Sequence, residues 1–105
     1  MMTNAIITVF HATNPIAEIL LNGEICDVKI LDRCAYRYLS EDSSTEDIDC
    51  FLSRRVFPNR HDASTADALR SLGLAVYNVE DIIKLTGGKM ICDKISIKIE
   101  IEDIN

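Results

Sequence analysis

Ile95, Ile97, Ile99 and Ile101 alternate strictly with Ser96, Lys98, Glu100 and Glu102. Successive side chains of a strand point to opposite faces, so the pattern predicts a half-buried strand with its isoleucine row against a core. A second β-rich region lies at the other end of the chain. Residues 5 to 11 include Ile6, Ile7, Thr8, Val9 and Phe10, and Asn14-Pro15 interrupts them. Two further apolar runs, Ile16 to Leu21 and Glu24 to Leu31, flank Asn22-Gly23. Asn-Gly between such runs predicts a hairpin with a type I′ turn, whose central residues both need positive φ. With that turn as pivot, Ile19 faces Cys26 and Ala17 faces Val28, while Glu18 and Asp27 oppose each other on the wet face. The N-terminal third therefore reads as a three-stranded antiparallel meander, and the isoleucine row is expected to pack beside it.

Between these regions the period changes from strand to helix. Ser43 with Glu46, or alternatively Ser44 with Asp47, forms a capping box ahead of Ile48, Phe51 and Leu52. Arg54-Arg55 suits the C-terminus of that helix, and Pro58 prevents its continuation. Ser64 with Asp67 opens a second helix through Ala68, Leu69 and Leu72, closed by Gly73. Asn78 with Asp81 opens a third through Ile82, Ile83 and Leu85, closed by Gly87-Gly88. Helices of about 8–10 residues are marginal alone and need a sheet to pack on. The expected class is α+β, with an N-terminal antiparallel meander, two or three short helices and a C-terminal strand packing on the sheet. At 105 residues, 48% of them apolar, a single domain spanning 1–105 can bury a modest core.

Composition narrows the function. No apolar run approaches the roughly 18 residues of a membrane span. Met1-Met2-Thr3-Asn4-Ala5 lacks the charged start and cleavage site of a secretory signal, so a cytoplasmic location is expected. Cysteines at 26, 34, 50 and 92 have no zinc-site spacing, and two histidines are too few to complete one. They read as free thiols, Cys26, Cys50 and Cys92 as small buried hydrophobes, and neither metal nor cofactor is expected. The net charge of −6 opposes binding to a phosphate backbone.

Positive charge concentrates in one place. Residues 41 to 53 carry five acids and no base, whereas Arg54, Arg55, Arg60 and His61 fall within eight residues around Pro58. Arginine pairs bidentately with carboxylates or phosphates, so this bend is the candidate partner-binding site. Charge reversal at Arg55 and Arg60 is expected to spare the fold and abolish binding. The bland alternative is that Arg54 and Arg55 neutralise a helix end and pair with the acidic run. His61-Asp62 beside Arg60 would suit acid–base chemistry on a phosphate, which makes a small nuclease or phosphate-handling enzyme the alternative function. Gly87-Gly88-Lys89 lacks the rest of a phosphate loop, and no nucleophile elbow or dinucleotide fingerprint occurs. A DNA-binding regulator is a further alternative, although Arg70 and Lys84 stand nearly alone on their helices.

Several of these residues also resemble a known family. Pro15-Ile16-Ala17-Glu18 in the hairpin, Phe51, Arg55, Pro58 and Arg60 around the bend, Ala68, Leu69, Leu72, Gly73 and Leu74 at the helix stop, and Gly87 or Gly88 before Asp93 and Ile95 follow one order. That order resembles the N-terminal segment ahead of the kinase region in HipA-like proteins of clostridia and related Firmicutes. The chain departs from it by having no tryptophan, with Cys50-Phe51 and Ser96 in the comparable places, and by carrying no kinase-type catalytic loop. The resemblance implies a bacterial protein of a toxin–antitoxin or phage-defence locus, with a toxin or kinase as partner. The expected function is a non-catalytic interaction or regulatory module, antitoxin-like or an accessory subunit.

Overall fold

The computed structural model describes residues 4–23, 25–90 and 93–101. Strands β1 (Asn4–His11), β2 (Asn14–Asn22) and β3 (Ile25–Ile30) lead into a 3-10 helix, Arg33–Arg37, and then into helices α1 (Thr45–Ser53), α2 (Ala63–Ser71) and α3 (Val79–Thr86). Strand β4 (Ile95–Ile101) returns to the sheet. The sheet is wholly antiparallel, in the order β3-β2-β1-β4, so the expected meander is present and the isoleucine strand lies on its β1 side.

One face of this sheet carries the core. Ala5, Ile7 and Val9 from β1, Ala17, Ile19 and Leu21 from β2, Val28 from β3 and Ile95 and Ile97 from β4 are buried there. Ala35 and Leu39, Ile48, Phe51 and Leu52 of α1 and Ile83 of α3 join the same apolar cluster. The isoleucine row is not uniform: Ile99 is half-buried and Ile101 is 48% exposed on this outer strand, although Ala5, its partner on β1, is buried. The opposite face is open, with Leu20, Ile25, Asp27 and Lys29 exposed.

The hairpin register differs from expectation by two residues. Asn22 pairs with Ile25, Ile19 with Val28 and Ala17 with Ile30. The shift keeps every side chain on its expected face but changes its partner. Glu18 now meets Lys29 instead of Asp27, so a like-charge pair is replaced by an opposite-charge one. Leu21 gains Cys26 as its partner, which completes an apolar ladder on the core face. Gly23 holds the positive φ of the turn, +63°; Glu24, the expected first residue of the third strand, lies outside the described residues. The first hairpin turns at Ala12, whose φ is +55°, and the register slips between Val9 and Phe10. This bulge accommodates Pro15, which has no N–H for a regular ladder.

The helix starts follow from capping. Of the two expected boxes at α1, Ser44 with Asp47 forms: Asp47 N donates to Ser44 Oγ at 3.2 Å and Ser44 N to Asp47 Oδ2 at 2.9 Å. Asn78 caps α3 as expected, and Gly87 ends it at φ +72°. At α2 the cap is Asp62 rather than Ser64. The Asp62 carboxylate accepts from Thr65 N at 3.1 Å, and Ser64 turns its own hydroxyl onto the same oxygen at 2.7 Å. The 3-10 helix was not expected; Asp32 caps it by accepting from Cys34 N at 3.0 Å, which lowers the pKa of its carboxyl. Among the described residues no helix is long and apolar enough to cross a membrane.

Candidate functional site

The basic bend does not form one cluster. Arg55 turns inward from the end of α1 and is 6% exposed. Its Nη1 and Nη2 donate to the two Asp93 carboxylate oxygens at 2.7 and 2.9 Å. Nε donates to the Gly88 carbonyl at 2.9 Å, and Nη2 also reaches the Ile95 carbonyl at 3.1 Å. Asp93 completes the arrangement by accepting from Ile95 N at 3.0 Å. The Arg55 guanidinium, ahead of the Ile95 amide, holds the Asp93 carboxyl below the usual carboxylate range. One side chain thus ties the end of α1 to the segment after α3 and to the first residue of β4. These contacts engage the Arg55 fork on its own chain, which leaves little of it for a partner.

Arg60 and His61 are exposed on the loop before α2. The loop backbone is pinned from both sides: Arg60 N donates to the buried Thr65 Oγ1 at 3.0 Å, and the Tyr77 hydroxyl donates to the Phe57 carbonyl at 2.6 Å. His61 has φ +53°, a left-handed conformation that a non-glycine residue seldom adopts. Asp62 is committed to the α2 cap, and the Ser64 hydroxyl followed by the Thr65 amide lowers its carboxyl pKa. It therefore serves the helix rather than orienting His61 as a base.

Arg54 is exposed and joins residues from distant parts of the chain. It lines an open groove of about 680 Å³ together with Arg37, Tyr38, Phe51, Asp93 and the Asp93-bound Arg55. A neighbouring groove, also about 680 Å³, is lined by His11, Arg33, Arg37, Lys94 and Asp93. The two share Arg37, Tyr38 and Asp93, so they adjoin. His11 comes from the end of β1, Arg33 and Arg37 from successive turns of the 3-10 helix, and Lys94 from the approach to β4. None of Arg33, Arg37, Arg54 and Lys94 is ion-paired among the described residues. The nearby carboxylates are occupied: Asp93 by Arg55, Asp47 by the α1 cap and Glu41 by the Tyr36 hydroxyl. Arg60 and His61 line neither groove.

The thiols complete the chemistry of this side. Cys34 and Cys50 are exposed and Cys26 is half-buried, all three free; Cys92 lies outside the described residues. Cys50 was expected to be buried, but α1 turns Ile48, Phe51 and Leu52 inward, which leaves position 50 on the outer side. Burial, followed by the Asp27 carboxylate, pushes the Cys26 thiol up, and desolvation with the Asp32 side chain raises that of Cys34. Neither environment generates a thiolate nucleophile. Among the described residues no group of three metal-ligating side chains converges. Compared with known proteins, the chain matches no family model, no curated protein and no solved structure.

Proposed function

We propose that this protein is a non-catalytic interaction module that docks an acidic segment of a partner protein along the two adjoining grooves. The observation that carries this reading is the gathering of Arg33, Arg37, Arg54 and Lys94 without ion pairs among the described residues, in a chain of net charge −6. Cations held close together repel one another, and a run of carboxylates relieves that repulsion while setting the register of docking. Tyr38, Phe51 and Met90 lie among them, which suits a segment that mixes acidic and apolar side chains. A nucleic acid would meet the same cations but also the long-range field of the acidic chain. The commitment of Asp62 to a helix cap, and the separation of His61 from the grooves, support a binding role over hydrolysis. The HipA-like resemblance supports a toxin or kinase as the partner and an antitoxin-like or accessory role.

Co-purification from the native host with tagged wild type, R37E/R54E and R60E tests the reading. A partner retained by wild type and R60E, lost with R37E/R54E and released by added salt is the expected result. Retention by folded R37E/R54E removes the grooves from the interface, and loss with R60E returns the site to the bend.

A further inference from the structure

Strand β3 is an outer strand of the sheet, and its free edge is self-complementary. The Leu31 amide donates inward to the Ile16 carbonyl at 2.8 Å. Backbone groups of successive strand residues point to alternate sides, so Ile25, Asp27 and Lys29 also bond towards β2. Cys26, Val28 and Ile30 consequently direct their N–H and C=O groups to the outer edge, where Cys26 and Ile30 are half-buried and Val28 is 4% exposed. Edge strands are normally blunted by proline, a bulge or a covering loop. Residues 25–30 contain no proline or glycine and no register shift, and among the described residues no hydrogen bond occupies the outward groups of Cys26, Val28 or Ile30.

We propose that two copies of this chain pair antiparallel along β3, with the two-fold axis at Val28, to form a continuous sheet. In this register Val28 meets the second copy's Val28, and Cys26 meets its Ile30; each such pair exchanges two hydrogen bonds. On the open face Asp27 meets the second copy's Lys29, and by symmetry Lys29 meets its Asp27. These are the non-hydrogen-bonded positions, where side chains approach closest. Beyond them Ile25, 68% exposed, meets the second copy's Leu31, 44% exposed. Two large apolar side chains left in water by the single chain thereby cover each other. Moving the axis by one residue either way sets Asp27 against Asp27 or Lys29 against Lys29, so charge selects the Val28 register. The order Ile-Cys-Asp-Val-Lys-Ile-Leu from 25 to 31 reads as its own complement about the central valine.

Sedimentation equilibrium from about 10 μM to about 1 mM, spanning the affinities of small interfaces, should show the wild-type mass rising from one copy towards two. Asp27→Lys places lysine against lysine at both contacts and should weaken the dimer by about tenfold or more. Its fold should be unaffected, since Asp27 faces Leu20 within the chain. Lys29→Asp places aspartate against aspartate and should weaken the dimer likewise, at a small added cost within the chain because Lys29 also faces Glu18, so its folding is checked by circular dichroism. Mixing the two variants restores both opposite-charge contacts, so a heterodimer should form where neither variant self-associates. A variant-free check uses carbodiimide on a mixture of isotopically light and heavy wild-type protein, which should join Asp27 of one copy to Lys29 of the other. A wild-type chain that stays monomeric throughout, a dimer undiminished by Asp27→Lys, or mixed-isotope cross-links that avoid this pair would each overturn the proposal. The groove variant R37E/R54E should dimerise like wild type, so failure of groove binding and failure of edge pairing are separately visible.

Discussion

Replacing Arg55 by methionine should unfold the protein at markedly lower denaturant concentration, although position 55 lies in what the sequence presents as a surface bend. Methionine keeps most of the stem volume and removes the fork. The fork makes two charge-assisted bonds to Asp93 and one each to the Gly88 and Ile95 carbonyls. Breaking a buried ion pair from one side costs about 3–5 kcal/mol. The Asp93 side chain is 23% exposed and recovers part of its hydration, so about 2–4 kcal/mol is the expected loss. For a domain of this size each kcal/mol lowers the thermal midpoint by about 4 °C, which gives a drop of roughly 8–16 °C. Urea melts followed by circular dichroism measure this directly, with an unchanged slope showing that the folded ensemble is otherwise comparable. A loss below about 1 kcal/mol would refute the tie and return Arg55 to the surface. The pH dependence provides a second reading. The Asp93 carboxyl is depressed in the folded state, so its contribution is present above the unfolded carboxylate pKa of about 3.9 and disappears as pH falls through the lower folded value. R55M should flatten that acid limb. Glutamate at position 55 would set a second carboxylate against Asp93, so charge reversal there reports on folding rather than on binding.

Three further outcomes follow from the geometry. Gly88→Ala should destabilise by more than about 1 kcal/mol, because its φ is +62° and a Cβ would lie 3.1 Å from Ile97 Cδ1; chemical denaturation checks it. Ile97→Ala should cost about 2–5 kcal/mol by the same assay and Lys98→Ala less than about 0.5, the reverse order implying that the β4 register is off by one. Thiol titration of the native protein should modify exposed Cys34 and Cys50 before half-buried Cys26, and the unfolded chain should yield four free thiols.

The features legible in the sequence are those in which cause and effect lie within a few residues. Asn78 selects the start of α3 through an amide three positions away, and Gly87 stops the helix through its own φ. Alternation along Ile95–Ile101 identifies the core face because strand geometry repeats every two residues. Where two local signals competed, local chemistry was insufficient: Ser64 and Asp62 can both cap α2, and the carboxylate prevails by binding an amide and the rival hydroxyl together. The hairpin register fails for a related reason. Asn-Gly favours one turn, but the pairing of Glu18 with Lys29 and of Leu21 with Cys26 is a property of two strands at once. The site is least legible because it depends on separations the chain does not advertise. Arg55 and Asp93 are 38 positions apart, and nothing local distinguishes an arginine that turns inward from its neighbour Arg54. His11, Arg37 and Lys94 converge only after β4 pairs with β1 and the 3-10 helix tucks in after β3. Asp32 before Arg33 and Arg37 was the available hint, an N-cap followed by two cations one helical turn apart. Charge clustering along a sequence therefore located Arg54 and Arg55 among the cations lining the grooves, and the antiparallel closure of the sheet supplied Arg33, Arg37 and Lys94.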